Sequence, residues 1–223
     1  MDEKSCIFYK NCNHVDCNSF CMKKYKCDYY FNSALIPEDK RLKFKLFIDA
    51  DGSDANAFSR LSEIEKDAEN YVKNGNNLYV YSSHTGNGKS SWMYRIARSY
   101  INKTWYKRDL KPIVLFISVP RFLLEIKADI SQKSDYIRKI AESINDCDLV
   151  IWDDIGSKAG TEFEVSHLLN IIDYRIANNK SNMYTSNLNK EDLHQLLGDR
   201  LYSRIYNYSE CIEFKGKDKR GIK

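Results

Sequence analysis

The sequence predicts an α/β domain with a five-stranded parallel sheet. Short apolar runs typical of strands alternate with longer segments in which apolar residues recur at helical spacing. The strand-like runs are almost continuously apolar, as expected where helices cover both faces of a parallel sheet. A glycine-containing stretch follows the first strand and opens the next helix, which is a position suited to binding an anion.

Strands and helices follow one another in order along the chain. The predicted strands span residues 78–82, 112–118, 148–154, 181–187 and 211–214. The predicted helices between them span residues 89–105, 121–130 and 164–179. Ahead of the first strand, residues 61–73 also show helical spacing, and Asn74 followed by Gly75 is a typical stop signal.

Composition divides the chain into three regions. Residues 1–33 are rich in cysteine, asparagine, lysine and aromatic residues, which predicts a small module whose aromatics form its core or a partner-docking face. Residues 34–74 form a polar linker followed by a helix, and residues 75–223 form the main α/β domain. A chain of 223 residues suits one such domain with a small appendage.

Charge and hydropathy exclude several classes of protein. No apolar run approaches the roughly 20 residues that span a bilayer, and the chain does not begin like a signal peptide. We therefore expect a soluble, cytoplasmic protein with no membrane partner. The net charge of +4 is too small for a general nucleic-acid coat. Basic residues are concentrated from Lys215 onward, in a tail that is either solvated or contacts phosphates.

Residues 83–90, SHTGNGKS, match seven of the eight positions of the phosphate-binding loop GxxxxGK[ST]. Ser83 stands where the motif begins with glycine. The bare N–H groups of the loop and the positive end of the following helix would bind the phosphates of ATP. Lys89 would reach the β- and γ-phosphates, and the Ser90 hydroxyl would ligate Mg²⁺. The predicted nucleotide contacts in the loop are Thr85, Gly86, Asn87, Gly88, Lys89, Ser90 and Ser91.

Two carboxylates end the third predicted strand, in DLVIWDDIGS. An acid at a strand end beside a phosphate loop is suited to hold Mg²⁺, and we assign Asp153 to this role. We assign Asp154 to polarising the attacking water as a general base. Without the phosphate loop upstream, this pair would be read as a polar turn.

Two further motifs follow downstream. TSN closes the fourth predicted strand, and Asn187 in it is suited to orient a water near the γ-phosphate. GDRLYSRIY places Arg200 and Arg204 four residues apart, on one helix face. Either arginine could be a plain surface charge, or it could enter a neighbouring subunit's site and neutralise transition-state charge.

Taken in order, these motifs resemble the AAA+ ATPases, specifically the DnaC/DnaI-type replicative helicase loaders of bacteria and phages, with IstB-like relatives. The resemblance covers about residues 75–223. The segments that carry it are GNGKSS, ISVPRFLLEIK, VIWDDIGS, IIDYRIANN, YTSNLNKEDL, GDRLYSRIY and FKGKDKRG. The small size of the chain fits a phage or mobile-element version of the family.

The resemblance implies roles for individual residues. Asn187 would be sensor 1, Arg204 the trans-acting arginine finger and Arg200 its neighbour in a self-association interface. Arg175 would lie near the subunit interface. The protein would be a slow ATPase, stimulated by a partner or by DNA. It would assemble with a hexameric replicative helicase and deliver it to single-stranded DNA, which the helix after ISVPR or the basic tail would contact.

Two departures from the wider family stand out. Ser83 replaces the first glycine of the phosphate loop. Only the 19 residues 205–223 follow Arg204, too few for the C-terminal helical lid of fuller AAA+ proteins. The loader-type members also lack that lid, so its absence agrees with the resemblance.

Other functions stay open at this point. An IstB-type transposition helper would share the ATPase core but act with a transposase on duplex DNA. A weakly hydrolysing adaptor or inhibitor of a helicase is a second alternative, for which Ser83 is the one hint. A small-molecule kinase would leave TSN and RLYSRI without a role.

Five cysteines lie between residues 6 and 27, with His14 among them. In a reducing cytosol this clustering favours a metal over disulfides. We predict a structural Zn²⁺ site that uses four thiolates and helps the small module fold. Cys6 or His14 could replace one ligand, and reduced cysteines without metal or an iron–sulfur cluster are the alternatives. The predicted zinc ligands are Cys12, Cys17, Cys21 and Cys27.

Overall fold

The structure is a computed structural model that describes residues 21–41, 46, 52–107, 109–129, 135–158 and 160–219. The helices are α1 (Met22–Ser33), α2 (Glu38–Arg41), α3 (Ala55–Lys66), α4 (Ala68–Lys73), α5 (Lys89–Thr104), α6 (Val119–Asp129), α7 (Asp135–Ala141), α8 (Glu162–Ala177) and α9 (Lys190–Tyr202). The strands are β1 (Asn77–Tyr81), β2 (Val114–Ser118), β3 (Leu149–Asp153), β4 (Ser181–Ser186) and β5 (Ser209–Glu213). A π-helical turn at Ser203–Asn207 joins α9 to β5.

The five strands form one sheet in the order β2-β3-β4-β1-β5, and every neighbouring pair is parallel. This confirms the predicted five-stranded parallel sheet. Strand β1 lies between β4 and β5, so the loop after β1 is flanked by the ends of neighbouring strands. Polar groups that end β1, β3 and β4 therefore meet at one edge of the sheet.

Helices cover the sheet on both faces. In β1, Leu78 and Val80 enter an apolar cluster that α3, α4 and α5 complete. Tyr79 enters a second cluster on the opposite face, with side chains from α6, α7, α8 and α9. Strands buried on both faces need apolar residues at successive positions, which explains the continuous apolar runs in the sequence.

Helix α1 belongs to the same core as the sheet. Cys27, Tyr30 and Phe31 are buried in the cluster that contains Leu78. Beyond the helix, the Ala34 carbonyl accepts a hydrogen bond from the N–H of Phe116 at 2.9 Å, so this segment covers part of the β2 edge. The described part of the predicted 1–33 module thus packs on the main domain. The boundaries at 33 and 74 stay a prediction.

The helix ahead of the first strand differs from its prediction. It begins earlier, at Ala55, and it is interrupted at Asp67, after which α4 continues to Lys73. The predicted stop holds, because Asn74 ends α4 and Gly75 follows with a φ of 67°. None of the helices in the described ranges combines the length and the apolar character needed to cross a membrane.

Candidate nucleotide site

The phosphate loop lies between β1 and α5. Gly86 and Gly88 have φ angles of 71° and 101°, which residues with a Cβ rarely adopt. Gly88 immediately precedes the helix, so the first turn of α5 presents its unpaired N–H groups beside the loop. The sequence therefore places glycine where the backbone must curl toward an anion.

Ser83 does not disturb this loop. Gly86 and Gly88 have positive φ angles, whereas the φ angle of Ser83 is not positive. Its side chain is exposed. The backbone at this position does not require glycine, so the serine leaves the loop conformation intact.

Lys89 is buried and points its ammonium group back along the loop. Its Nζ donates to the His84 carbonyl at 2.9 Å, to Asn87 Oδ1 at 3.3 Å and to Asn187 Oδ1 at 2.9 Å. The predicted sensor residue Asn187 therefore contacts the phosphate-loop lysine across two strand ends. Both side chains line one cavity, where phosphate oxygens would be alternative acceptors for the lysine.

Asp153 ends β3 and lies behind Ser90. Its Oδ1 accepts hydrogen bonds from Ser90 Oγ at 2.7 Å and from Thr185 Oγ1 at 2.6 Å. Burial raises the pKa of the Asp153 carboxyl above its usual range, and the hydrogen bonds from Thr185 and Ser90 oppose this shift. A hydroxyl and a carboxylate held together in this way are oxygen ligands of the kind that Mg²⁺ prefers.

Asp154 turns away from the strand in a left-handed conformation, with a φ of 59°. Its N–H donates to Thr185 Oγ1 at 2.9 Å, which fixes this turn. Aspartate tolerates the left-handed region better than most residues, but a non-glycine residue there is uncommon and often marks a functional site. The turn directs Asp154 toward the phosphate loop, while Asp153 stays behind it.

A cavity of about 340 Å³ lies over the loop. Its lining residues are Thr85, Gly86, Asn87, Gly88, Lys89, Ser90, Ser91, Asp154 and Asn187. The cavity thus brings together the loop residues, the predicted general base and the predicted sensor. Asp153 lines a neighbouring cavity of about 400 Å³ instead. Its carboxylate contacts the phosphate loop by accepting a hydrogen bond from the Ser90 hydroxyl.

Arg200 and Arg204 do not line this cavity. Helix α9 is broken at Gly198, and the chain widens into the π-helical turn after Tyr202. Arg200 therefore lies in the last turn of α9 and Arg204 in the π-helical turn, and their shared helix face stays a prediction. Arg200 is exposed, and Arg204 forms an ion pair with Asp173 and donates to the Tyr208 hydroxyl at 3.3 Å.

The implied position of Arg175 near a subunit interface stays a prediction, while the structure shows a role for its side chain within the fold. Arg175 is fully buried beneath the amino ends of the strands. Its guanidinium donates to carbonyls of Ile144, Cys147 and Ser181 at 2.5–3.1 Å and to Asn182 Oδ1 at 2.8 Å. A charge enclosed in this way joins several parts of the fold.

The cysteine-rich start is described only in part. Cys21 caps α1, where its Sγ accepts from the N–H of Lys24 at 3.5 Å, and Cys27 is buried in the apolar core. Cys12 and Cys17 lie outside the described residues, as do Cys6 and His14. Among the residues described, no cluster of three or more histidine, cysteine or acidic side chains could hold a metal. The zinc site stays a prediction.

Thr185 is a site residue that sequence reasoning missed. Its hydroxyl bonds both the carboxylate of Asp153 and the N–H of Asp154, so it orients the two acids in different directions. Its position in the sequence could have indicated this role. Thr185 lies near the end of β4, the strand beside β3, and it follows Tyr184, which pairs with Trp152. Neighbouring parallel strand ends bring such positions into contact.

Comparisons with known proteins give a matching family model and several similar solved structures. The family model described as IstB-like ATP binding protein matches residues 15–221. The crystal structure of the DnaC helicase loader is similar at 20% identity and a TM-score of 0.59, over 83% of this chain and 98% of that one. The crystal structure of DnaI is similar at 19% identity and a TM-score of 0.59, over 83% and 94%.

A third similar structure is domain III of the replication initiation protein DnaA from Thermotoga maritima. It shares 18% identity with a TM-score of 0.60, over 86% of this chain and 68% of that one. At these identities the structural matches establish the fold alone. No curated protein matches the chain.

Proposed function

Because the chain belongs to the family of IstB-like ATP-binding proteins, we propose that it is an ATP-dependent loader of a hexameric replicative DNA helicase. The observation that carries the proposal is the cavity in which the phosphate loop, Asp154 and Asn187 meet. The fold shared with a DnaC helicase loader supports the choice of partner. Delivery of the helicase to single-stranded DNA is part of the proposal.

ATP binding rests on the loop and Lys89. The N–H groups at the start of α5 and the Lys89 ammonium group would neutralise the phosphates, with the lysine exchanging its present acceptors for phosphate oxygens. Ser90 and Asp153 would hold Mg²⁺, which supplies charge neutralisation on the phosphates when bound. The Asp153 carboxylate is already paired with the Ser90 hydroxyl, so these two oxygens need no large rearrangement.

Hydrolysis rests on Asp154 and Asn187. Asp154 would accept a proton from the attacking water, because its left-handed turn brings it to the cavity wall. Asn187 would orient the attacking water near the γ-phosphate through its amide, which also contacts Lys89. Arg204 lies outside the cavity of its own chain, so we propose that it acts on the site of a neighbouring subunit after leaving Asp173.

A second function has one specific observation in its favour. The matching family model carries the IstB name, and an IstB-type transposition helper would act with a transposase on duplex DNA. The same cavity would serve both functions. The partner, rather than the chemistry, separates them.

The test combines ATP turnover with complex formation. The wild-type protein is mixed with a hexameric replicative helicase and single-stranded DNA, and phosphate release and size-exclusion elution are followed with and without ATP. We expect a nucleotide-sensitive complex and stimulated turnover. Asp154→Asn should keep ATP binding but lower turnover by about 10²–10⁴-fold, as removal of a general base does. Arg204→Ala should lose only the stimulated part of the turnover.

Asp192→Asn is the matched control, since Asp192 is an exposed acid on α9. It should leave turnover and elution unchanged. Equal, negligible turnover by wild type and Asp154→Asn, despite complex formation, would show an adaptor instead of an ATPase. Stimulation by duplex DNA without any helicase complex would favour the transposition helper.

A further inference from the structure

The carboxyl-terminal segment 214–219, here called the strap, lies against the phosphate loop. The N–H of Lys219 donates to the Gly86 carbonyl at 3.0 Å. On the same side, the Asn87 amide nitrogen approaches the Gly216 carbonyl at 3.5 Å. The strap therefore touches two residues that line the nucleotide cavity.

Asp54 anchors the strap. Its Oδ1 accepts the N–H of Lys215 at 2.7 Å and the N–H of Gly216 at 3.0 Å. Its Oδ2 lies 3.4 Å from Lys219 Nζ. The Asp54 side chain is 0% exposed and the Lys219 side chain 9% exposed, so this ion pair is shielded from water. One carboxylate just before α3 thus holds both ends of a six-residue segment.

Aromatic packing joins the strap to the helix of the phosphate loop. Phe58, one turn into α3, packs against Phe214 of the strap with ring centroids 5.3 Å apart. It also packs edge-on against Trp92 of α5 at 5.2 Å. Lys219 Nζ lies 4.8 Å from the centre of the Phe58 ring. Asp54, the strap and the start of α5 therefore form one packed unit.

The packed unit affects the nucleotide site through the planar peptide bond between Gly86 and Asn87. The Gly86 carbonyl and the Asn87 N–H belong to the same rigid peptide and point in opposite directions. When Lys219 holds the carbonyl toward the strap, the Asn87 N–H is turned away from the strap. Backbone N–H groups of such loops are the ligands of phosphate, so their orientation determines affinity.

We infer that Asp54 is a positioning residue for the nucleotide, which fixes the phosphate loop by anchoring the strap against it. The inference rests on the proposed ATP site. Because coupling between two sites is reciprocal, bound ATP also holds the strap in place. The strap carries the exposed Lys215 and Lys217 into the basic tail, so nucleotide occupancy sets where these charges lie.

The experiment measures both directions of this coupling. ATP affinity is determined by titration calorimetry, and release of the tail by trypsin at Lys215 and Lys217 is followed by mass spectrometry with and without ATP and Mg²⁺. Saturating ATP should slow this cleavage in the wild type by about tenfold, a typical size for coupled sites. Asp54→Ala should weaken ATP binding by about tenfold and abolish the protection. Asp54→Asn, whose amide oxygen still accepts the two N–H groups, should fall between.

Glu63→Gln is the control, because Glu63 is an exposed acid on α3, the helix that follows Asp54. It should behave as wild type in both assays. The inference fails if the wild type binds ATP but its tail is cleaved at the same rate with and without nucleotide, a result that needs no variant to fold. It also fails if Asp54→Ala binds ATP as tightly as Glu63→Gln. Absence of ATP binding by the wild type would instead overturn the proposed function, and the inference with it.

Discussion

The two ends of the sheet each enclose a cation, but in different ways. At the amino end, Arg175 is surrounded by backbone carbonyls and by Asn182, and its exposed fraction is 0%. At the carboxyl end, Lys89 has three acceptors beside an open cavity. The first set of acceptors is sealed by the fold, whereas the second can be replaced by a ligand.

This difference separates a structural cation, Arg175, from Lys89, which we propose binds a ligand. The carbonyls around Arg175 come from the turn between α7 and β3 and from the start of β4, so the guanidinium joins separate parts of the fold. Asn182 extends the network to the Trp152 indole N–H at 3.2 Å and to the Asn77 side chain. Burial lowers the pKa of Arg175, because removing the charged guanidinium from water costs free energy. The many hydrogen bonds offset that cost.

The largest change in stability is expected at the amino end of the sheet, where Arg175 is enclosed. Arg175→Ala should lower the free energy of unfolding by about 3–5 kcal/mol, because several buried carbonyls and Asn182 lose their donor. Urea denaturation followed by circular dichroism measures this change. Arg175→Lys should rescue it only in part, because an ammonium group cannot reproduce the guanidinium fork.

Arg138→Ala is the control for that variant. Arg138 is exposed and forms an ion pair with Asp135 nearby on α7, so its removal should change the free energy of unfolding by less than about 0.5 kcal/mol. If Arg175→Ala were no less stable than Arg138→Ala, the buried network would not stabilise the sheet. Arg175 would then not be a structural cation, and the contrast with Lys89 would fail.

A smaller and different effect is expected at the open end. Lys89→Ala should weaken ATP binding by about 100-fold, which corresponds to about 3 kcal/mol of charge-assisted hydrogen bonding. The free energy of unfolding should change by less than about 1 kcal/mol, because water in the cavity can serve the acceptors that lose the lysine. Calorimetric titration with ATP, alongside urea denaturation, measures both quantities.

Lys103→Ala, at the far end of α5, controls for loss of a lysine from this helix. It should bind ATP as the wild type does. Unchanged ATP affinity in Lys89→Ala would remove Lys89 from the nucleotide site. A large loss of stability would instead place it in the same class as Arg175.

The smallest effect is expected at Ser83. Ser83→Gly restores the usual first residue of the loop motif, but Ser83 is exposed and its φ is not positive. Glycine should therefore lower stability slightly, by less than about 1 kcal/mol, through added freedom of the unfolded chain. ATP affinity, measured by the same titration, should stay within about twofold. A tenfold gain would show that the serine restrains the loop.

Sequence alone determined the sheet and the position of the phosphate loop. Continuous apolar strands between helices require two covered faces, and a GxGKS stretch after a strand places glycine where positive φ is needed, as Gly86 and Gly88 show. The two acids at the end of β3 and Asn187 after β4 were also predictable, because the ends of parallel strands share one edge. These are local patterns whose meaning does not depend on distant residues.

Only the tertiary structure decided which polar residues are partners. The sequence placed Arg175 in a helix, but its burial depends on how α8 packs over β3 and β4, which no local pattern records. Thr185 and Asp54 carry no motif, and their roles arise from hydrogen bonds to residues 31 and 161 positions away. Contacts between distant parts of the chain are set by packing, and packing is a property of the whole fold.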